Sequence, residues 1–237
     1  REDIGRGEDV GFETHLEITL PPGTRLKVQN GHGETSVADV AEARVWGSYD
    51  SVRVERVAGI AEVSSKHGDV TVAGVGGALS LTARHGAVEI RQVKGRATLI
   101  VEHGDVSANE VGGLDLNLRH GALTADGILG DLEVAGEHAG VHAVAVTGRA
   151  VVETGYQDIT VERVGGDVRL VSKHGDVRAA DVAGAVYAEA RFDHVELERI
   201  GGPVEVRVMY GGLQARGLEK GALVRTAGDD VIIDGFK

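Results

Sequence analysis

The chain has 237 residues and a formal charge of 25 − 37 = −12, with 36 Gly, 3 Pro, 1 Met and no Cys. The missing Cys excludes a disulfide framework, a thiolate metal site and a thiol nucleophile. The acidic balance and 3% aromatic content argue against nucleic acid as a partner. No apolar run approaches the ~20 residues of a membrane-spanning helix, so no transmembrane segment is expected.

Taken in chain order, residues 1–13 read as a flexible polar lead and 14–237 as one domain. Leu16, Ile18 and Leu20 alternate, a Pro21–Thr24 turn follows, and Leu26 and Val28 resume an apolar strip, so 14–31 reads as an incomplete first coil. From there the sequence repeats: KHGDV at Lys66, RHGAV at Arg84, EHGDV at Glu102, RHGAL at Arg119, KHGDV at Lys173. Counting the His of each unit as position zero gives His32, Tyr49, His67, His85, His103, His120, His138, Tyr156, His174, Phe192, Tyr210 and Gly228. Nine of the eleven intervals are 18 residues and two are 17. Apolar residues recur at positions three, five and eight, as in Val70, Val72 and Val75, and again at twelve, fourteen and sixteen, as in Leu79, Leu81 and Ala83. Gly59, Gly77, Gly95, Gly113, Gly130, Gly148, Gly166, Gly184 and Gly202 form a column at position ten.

Short period-two alternation broken by Gly and Asp is the pattern of strands joined by turns, and no segment sustains a helical stripe. One 18-residue unit cannot bury its apolar face alone, whereas stacked units bury a continuous core. The expected fold is therefore an all-β, single-domain parallel β-solenoid of about twelve 18-residue coils. The inward positions do not follow the six-residue period of a left-handed β-helix, so a right-handed coil is expected. The glycine column marks a corner that needs either positive φ or a tight inward turn. The Asp of GDV reads as a turn residue bonding its own backbone.

The segment LPPGTRLKVQNGHGETSV at Leu20–Val37, followed by GDV-x-V-x-x-V-x-G-x-V units, resembles a bacterial family of β-strand repeats labelled adhesin-like, a domain of unknown function. The resemblance covers 14–237 and rests on structural Gly and Val. It implies a secreted or envelope-associated β-solenoid and supplies no catalytic residues. This chain departs from the family by placing His where a small polar residue usually precedes the turn glycine.

That column is the candidate site. Its members His32, Tyr49, His67, His85, His103, His120, His138, Tyr156, His174, Phe192 and Tyr210 share a flat ring. Phe192 cannot bind a metal, so the favoured reading is a stacked ring ladder, carried inward by the alternation from positions fourteen and sixteen. A competing reading takes the unbroken run His67, His85, His103, His120 and His138 as transition-metal ligands. A third is a response to acid, since stacked imidazoles resist joint protonation. The cations before the ring, Lys66, Arg84, Arg119, Lys173 and Arg191, should point outward.

Intervals of 17 or 18 leave no room for the loops on which solenoid enzymes build their sites. No catalytic motif is present, so neither enzymatic activity nor a cofactor is expected. Two functions remain. One is an extracytoplasmic structural rod that self-associates end to end, with Val231, Ile232 and Ile233 as the assembly edge. The other is a monomeric surface module that binds a glycan or a protein.

Overall fold

The computed structural model describes residues 17–21, 23–227 and 230–235. The lead at 1–13, Leu16 and Gly228 lie outside the described residues. The described residues form twenty strands and no helix, wound as a parallel β-solenoid of about twelve coils. Among the described residues no helix is long and apolar enough to cross a membrane.

Each coil contributes one segment to each of two parallel sheets. The first sheet runs through Thr35–Val40, Val52–Val57 and Val70–Val75 to Leu213–Leu218 and Val231–Asp234. The second runs from Arg25–Asn30 and Glu42–Gly47 to Val204–Val208 and Ala222–Thr226. In the middle of the rod the corner itself remains extended, so Val106–Ile128 is one 23-residue strand that serves both sheets. Pairing joins like to like: Val52 to Val70, Val54 to Val72, Val57 to Val75. Six apolar columns point between the sheets and close one hydrophobic core along the rod. Val and Ile suit it because β-branched side chains pack well on a pleated surface, and Leu adds apolar bulk to the same columns.

The start of the chain departs from expectation. Glu17–Leu20 forms no strand and Ile18 is 65% exposed, so Ile18 and Leu20 do not form the expected first strand. Leu26 and Val28 do pack against the core. With no coil beneath them in the described residues, they are only partly covered.

The glycine corner serves close approach, not positive φ. None of its residues adopts a left-handed conformation. Instead a Cβ on residue 95 would lie 2.7 Å from the Gly77 carbonyl carbon, and one on residue 166 would lie 2.8 Å from that of Gly148. The N–H of Gly59, Gly77, Gly95, Gly148, Gly166 and Gly202 donates to the carbonyl below, as in Gly77 to Gly59 at 2.9 Å and Gly166 to Gly148 at 3.0 Å. Gly113 is a correction to the column. Its coil is one residue short, the register shifts between Val93 and Arg96, and Gly113 pairs with Arg96. Gly112 takes the crowded place, where a Cβ would meet Gly95 O at 2.8 Å, while Gly113 has nothing nearer than 3.5 Å.

Positive φ occurs at two other columns. One is the turn glycine after the ring, including Gly68, Gly86, Gly104, Gly121 and Gly175. The second is position seven, where φ runs from 51° at Arg56 to 73° at Gly235. It includes Asp39, Gln92, Glu110, Ala145, Arg163, Asp181 and Arg199. A left-handed residue there reverses the chain between positions five and eight, so that Val54 and Val57 both point inward. Such residues cost of order 1–3 kcal/mol each when they are not glycine.

Candidate functional site

The ring column sits where the second sheet turns back toward the first. It is a continuous stack. All ten neighbouring pairs from His32 to Tyr210 have centroids 4.5–5.5 Å apart and planes within 14° of parallel. Strand register imposes that spacing, because parallel neighbours lie about 4.8 Å apart. The most parallel pair is His103 and His120, at 4.8 Å and 1°.

The stack lies outside the corner, which corrects its inward placement. Tyr49 is 59% exposed, Tyr210 58% and Phe192 45%. His32, His67, His85, His103 and His174 are exposed, and His120 and His138 half-buried. The alternation ends at position sixteen, whose residues Ser65, Ala83 and Val101 are the last to point inward. Lys66 and His67, then Arg84 and His85, both face solvent in succession, as a turning backbone requires. The cations Lys66, Arg84, Arg119, Lys173 and Arg191 are outward as expected.

Below the rings the coils are clasped by carboxylates. The Asp69 Oδ1 accepts the Ala87 N–H at 2.8 Å, and the Asp105 Oδ1 accepts that of Ala122 at 2.9 Å. This corrects the reading of Asp as a local turn residue, since its bond runs to the next coil. The same bond recurs from Asp176 N–H to Asp158 Oδ1 at 2.9 Å and from His194 N–H to Asp176 Oδ1 at 3.1 Å, so it needs only the backbone N–H one coil on. Asp131 and Asp167 make the equivalent bonds to Arg149 N and Ala185 N beside the glycine corner.

Position seven is a third exposed column. Asp39 accepts two bonds from the Arg56 guanidinium, at 2.7 and 2.8 Å, and Asp181 accepts two from Arg199, at 2.5 and 2.8 Å. Those guanidinium groups hold both carboxyls below the ordinary Asp range. Neither contact was evident from sequence. The available signal was a column with four Gly and no β-branched residue.

A shallow groove crosses the second sheet near its C-terminal end, lined by Arg149, Val151, Tyr187, Pro203 and Leu223. The Arg169 guanidinium lies 4.5 Å and that of Arg207 5.4 Å from the Tyr187 ring centre. The Tyr187 hydroxyl donates to Glu189 Oε2 at 2.6 Å, and that carboxylate raises its pKa. Val151, Arg169, Tyr187, Glu205 and Leu223 follow one another in register, but they share no residue type, so sequence reasoning missed the groove.

Among the described residues, no group of three or more His, Asp or Glu converges as a metal cage. Of the proposed assembly edge, Val231 and Ile232 are 40% and 48% exposed, while Ile233 packs partly against the core. No protein-family model matches the chain, and no curated protein or solved structure matches it. Fold and corners together define its class: a parallel β-solenoid bearing an external ring ladder.

Proposed function

We propose that the chain is a non-enzymatic, extracytoplasmic structural rod that associates end to end. The observation that carries this reading is the uniformity of the coils. Apart from the shift at the short coil after Val93, the described coils repeat one register, with corners clasped by rings, Asp and Gly rather than opened into loops. A surface built this way offers strand pairing, the same interaction that joins its own coils. Val231–Asp234 pairs with Leu213–Leu218 on one edge and exposes Val231 and Ile232. A second copy meeting that edge would continue both the ladder and the core. The resemblance to adhesin-like β-strand repeats supports the extracytoplasmic setting.

Electron microscopy and light scattering of the purified chain test the proposal. Filaments are expected, and Val231→Lys with Ile233→Lys should abolish them while sparing the central coils. A strict 24.7 kDa monomer at high concentration would sink the end-to-end reading. The groove at Tyr187 favours a second reading, a monomeric module that holds a glycan or a protein segment against that ring. Tyr187→Ala would then remove surface binding without changing the mass in solution.

A further inference from the structure

The ring ladder contains one stretch that stacking alone does not explain. His67, His85, His103, His120 and His138 follow one another, although Tyr or Phe fills the same place elsewhere. Their centroids are 5.0, 5.1, 4.8 and 4.9 Å apart, and their edges reach solvent. The geometry points to a transition-metal site on this run, in which neighbouring imidazoles chelate Zn²⁺ or Ni²⁺ in pairs. This goes beyond the structural role and is independent of assembly.

Neutral imidazole is a good ligand for both ions. Zn–N bonds of about 2.0–2.1 Å in a tetrahedral site put two ligating nitrogens about 3.3 Å apart. Backbone pairing of His67 with His85, His85 with His103, His103 with His120 and His120 with His138 fixes the Cα atoms of each pair. The remaining approach comes from the Cβ–ring torsion, which is broad for His. The rings stand outside the core, His67, His85 and His103 exposed and His120 and His138 half-buried, so no core packing opposes that rotation. The nearby carboxylates of Asp69 and Asp105 are engaged by backbone N–H groups, so the other coordination positions go to water. Five rings accommodate about two bidentate ions. Among the described residues His32 stacks on Tyr49 alone and His174 lies between Tyr156 and Phe192, so neither has a described imidazole partner.

The test uses the untagged chain, titrated calorimetrically at pH 7.5 with ZnCl₂ and separately with NiCl₂. Two double variants each remove two His. His85→Phe with His120→Phe leaves His67, His103 and His138 without neighbours. His67→Phe with His138→Phe leaves a contiguous triplet. Phe192 already occupies this column, so a phenyl ring preserves the stack, and circular dichroism melting checks it. Where Phe disturbs folding, Tyr, the residue at 49 and 156, carries the same test. The unaltered chain should bind about two ions and the triplet variant about one. The split variant should bind at least 10–100-fold more weakly, no less than the loss that follows removal of an outer-shell partner. Equal weakening in both variants, undiminished binding in the split variant, or no binding by the unaltered chain would overturn the assignment.

Discussion

The glycine corner and the ring corner turn the same chain in opposite ways. At the glycine corner backbone meets backbone, and each residue leaves no space for a side chain above its neighbour. At the ring corner side chains form the contact, and ten stacked pairs replace what a hydrophobic interior would supply. A corner without side chains has little chemistry to offer. The ring corner instead carries an aromatic ring in register from His32 to Tyr210. Architecture occupies one corner and leaves the other open to function.

The largest expected effect breaks the glycine corner. Gly95→Ala would place a Cβ 2.7 Å from the Gly77 carbonyl in the centre of the rod. Overpacking of this kind costs about 1–3 kcal/mol, and urea melts should show it as a lower midpoint. Gly113→Ala, with 3.5 Å of clearance, should cost far less and separates crowding from glycine content.

At the ring corner a side chain can change if it stays flat. His103→Ala removes two stacked contacts, each worth ~0.5–1.5 kcal/mol at most in this exposed setting. His103→Phe keeps both, so its melting temperature should match the unaltered chain. Equal losses from Ala and Phe would show that the imidazole nitrogens, not the stack, hold this corner.

A smaller effect lies beneath the rings. Asp69→Ala leaves the Ala87 N–H without its carboxylate, and a hydrogen bond of this kind contributes about 0.5–1.5 kcal/mol. Amide hydrogen exchange at Ala87 should quicken, with exchange at Ala122 unchanged because Asp105 still covers it.

The smallest effect is the acid limb at position seven. Asp39 and Asp181 have folded pKa values below their unfolded ones. Their contribution is therefore present above the ordinary Asp value near 4 and lost as pH falls through the lowered folded value. Arg56→Gln should flatten the fall in melting temperature between about pH 5 and 2. An unchanged acid limb in that variant would remove Asp39–Arg56 from the account.

The solenoid was legible in the sequence because each residue's main partner is its own equivalent one coil away. A column of Val over Val therefore reports the sheet directly. The corners were less legible because they break the rule that reads strands. Alternation carried past Ser65 puts His67 inside, yet the turn sends Lys66 and His67 outward together. Gly113 kept its count from the ring but lost its place, because the short coil moved Gly112 into the crowded position. Position seven was invisible as a left-handed column because Arg, Asp and Glu together occupy six of its places and Gly only four. The candidate site was thus read correctly as a column of rings and incorrectly as a part of the interior.

The most direct measurement is a nuclear Overhauser experiment on ring-labelled His in the intact chain. An external stack predicts cross-peaks only between successive rings, His67 to His85, His85 to His103, His103 to His120 and His120 to His138. Solvent-exposed ring protons and no contacts to core methyl groups should accompany them. Strong contacts from these rings to buried Val or Leu methyls, without ring-to-ring peaks, would contradict the external ladder.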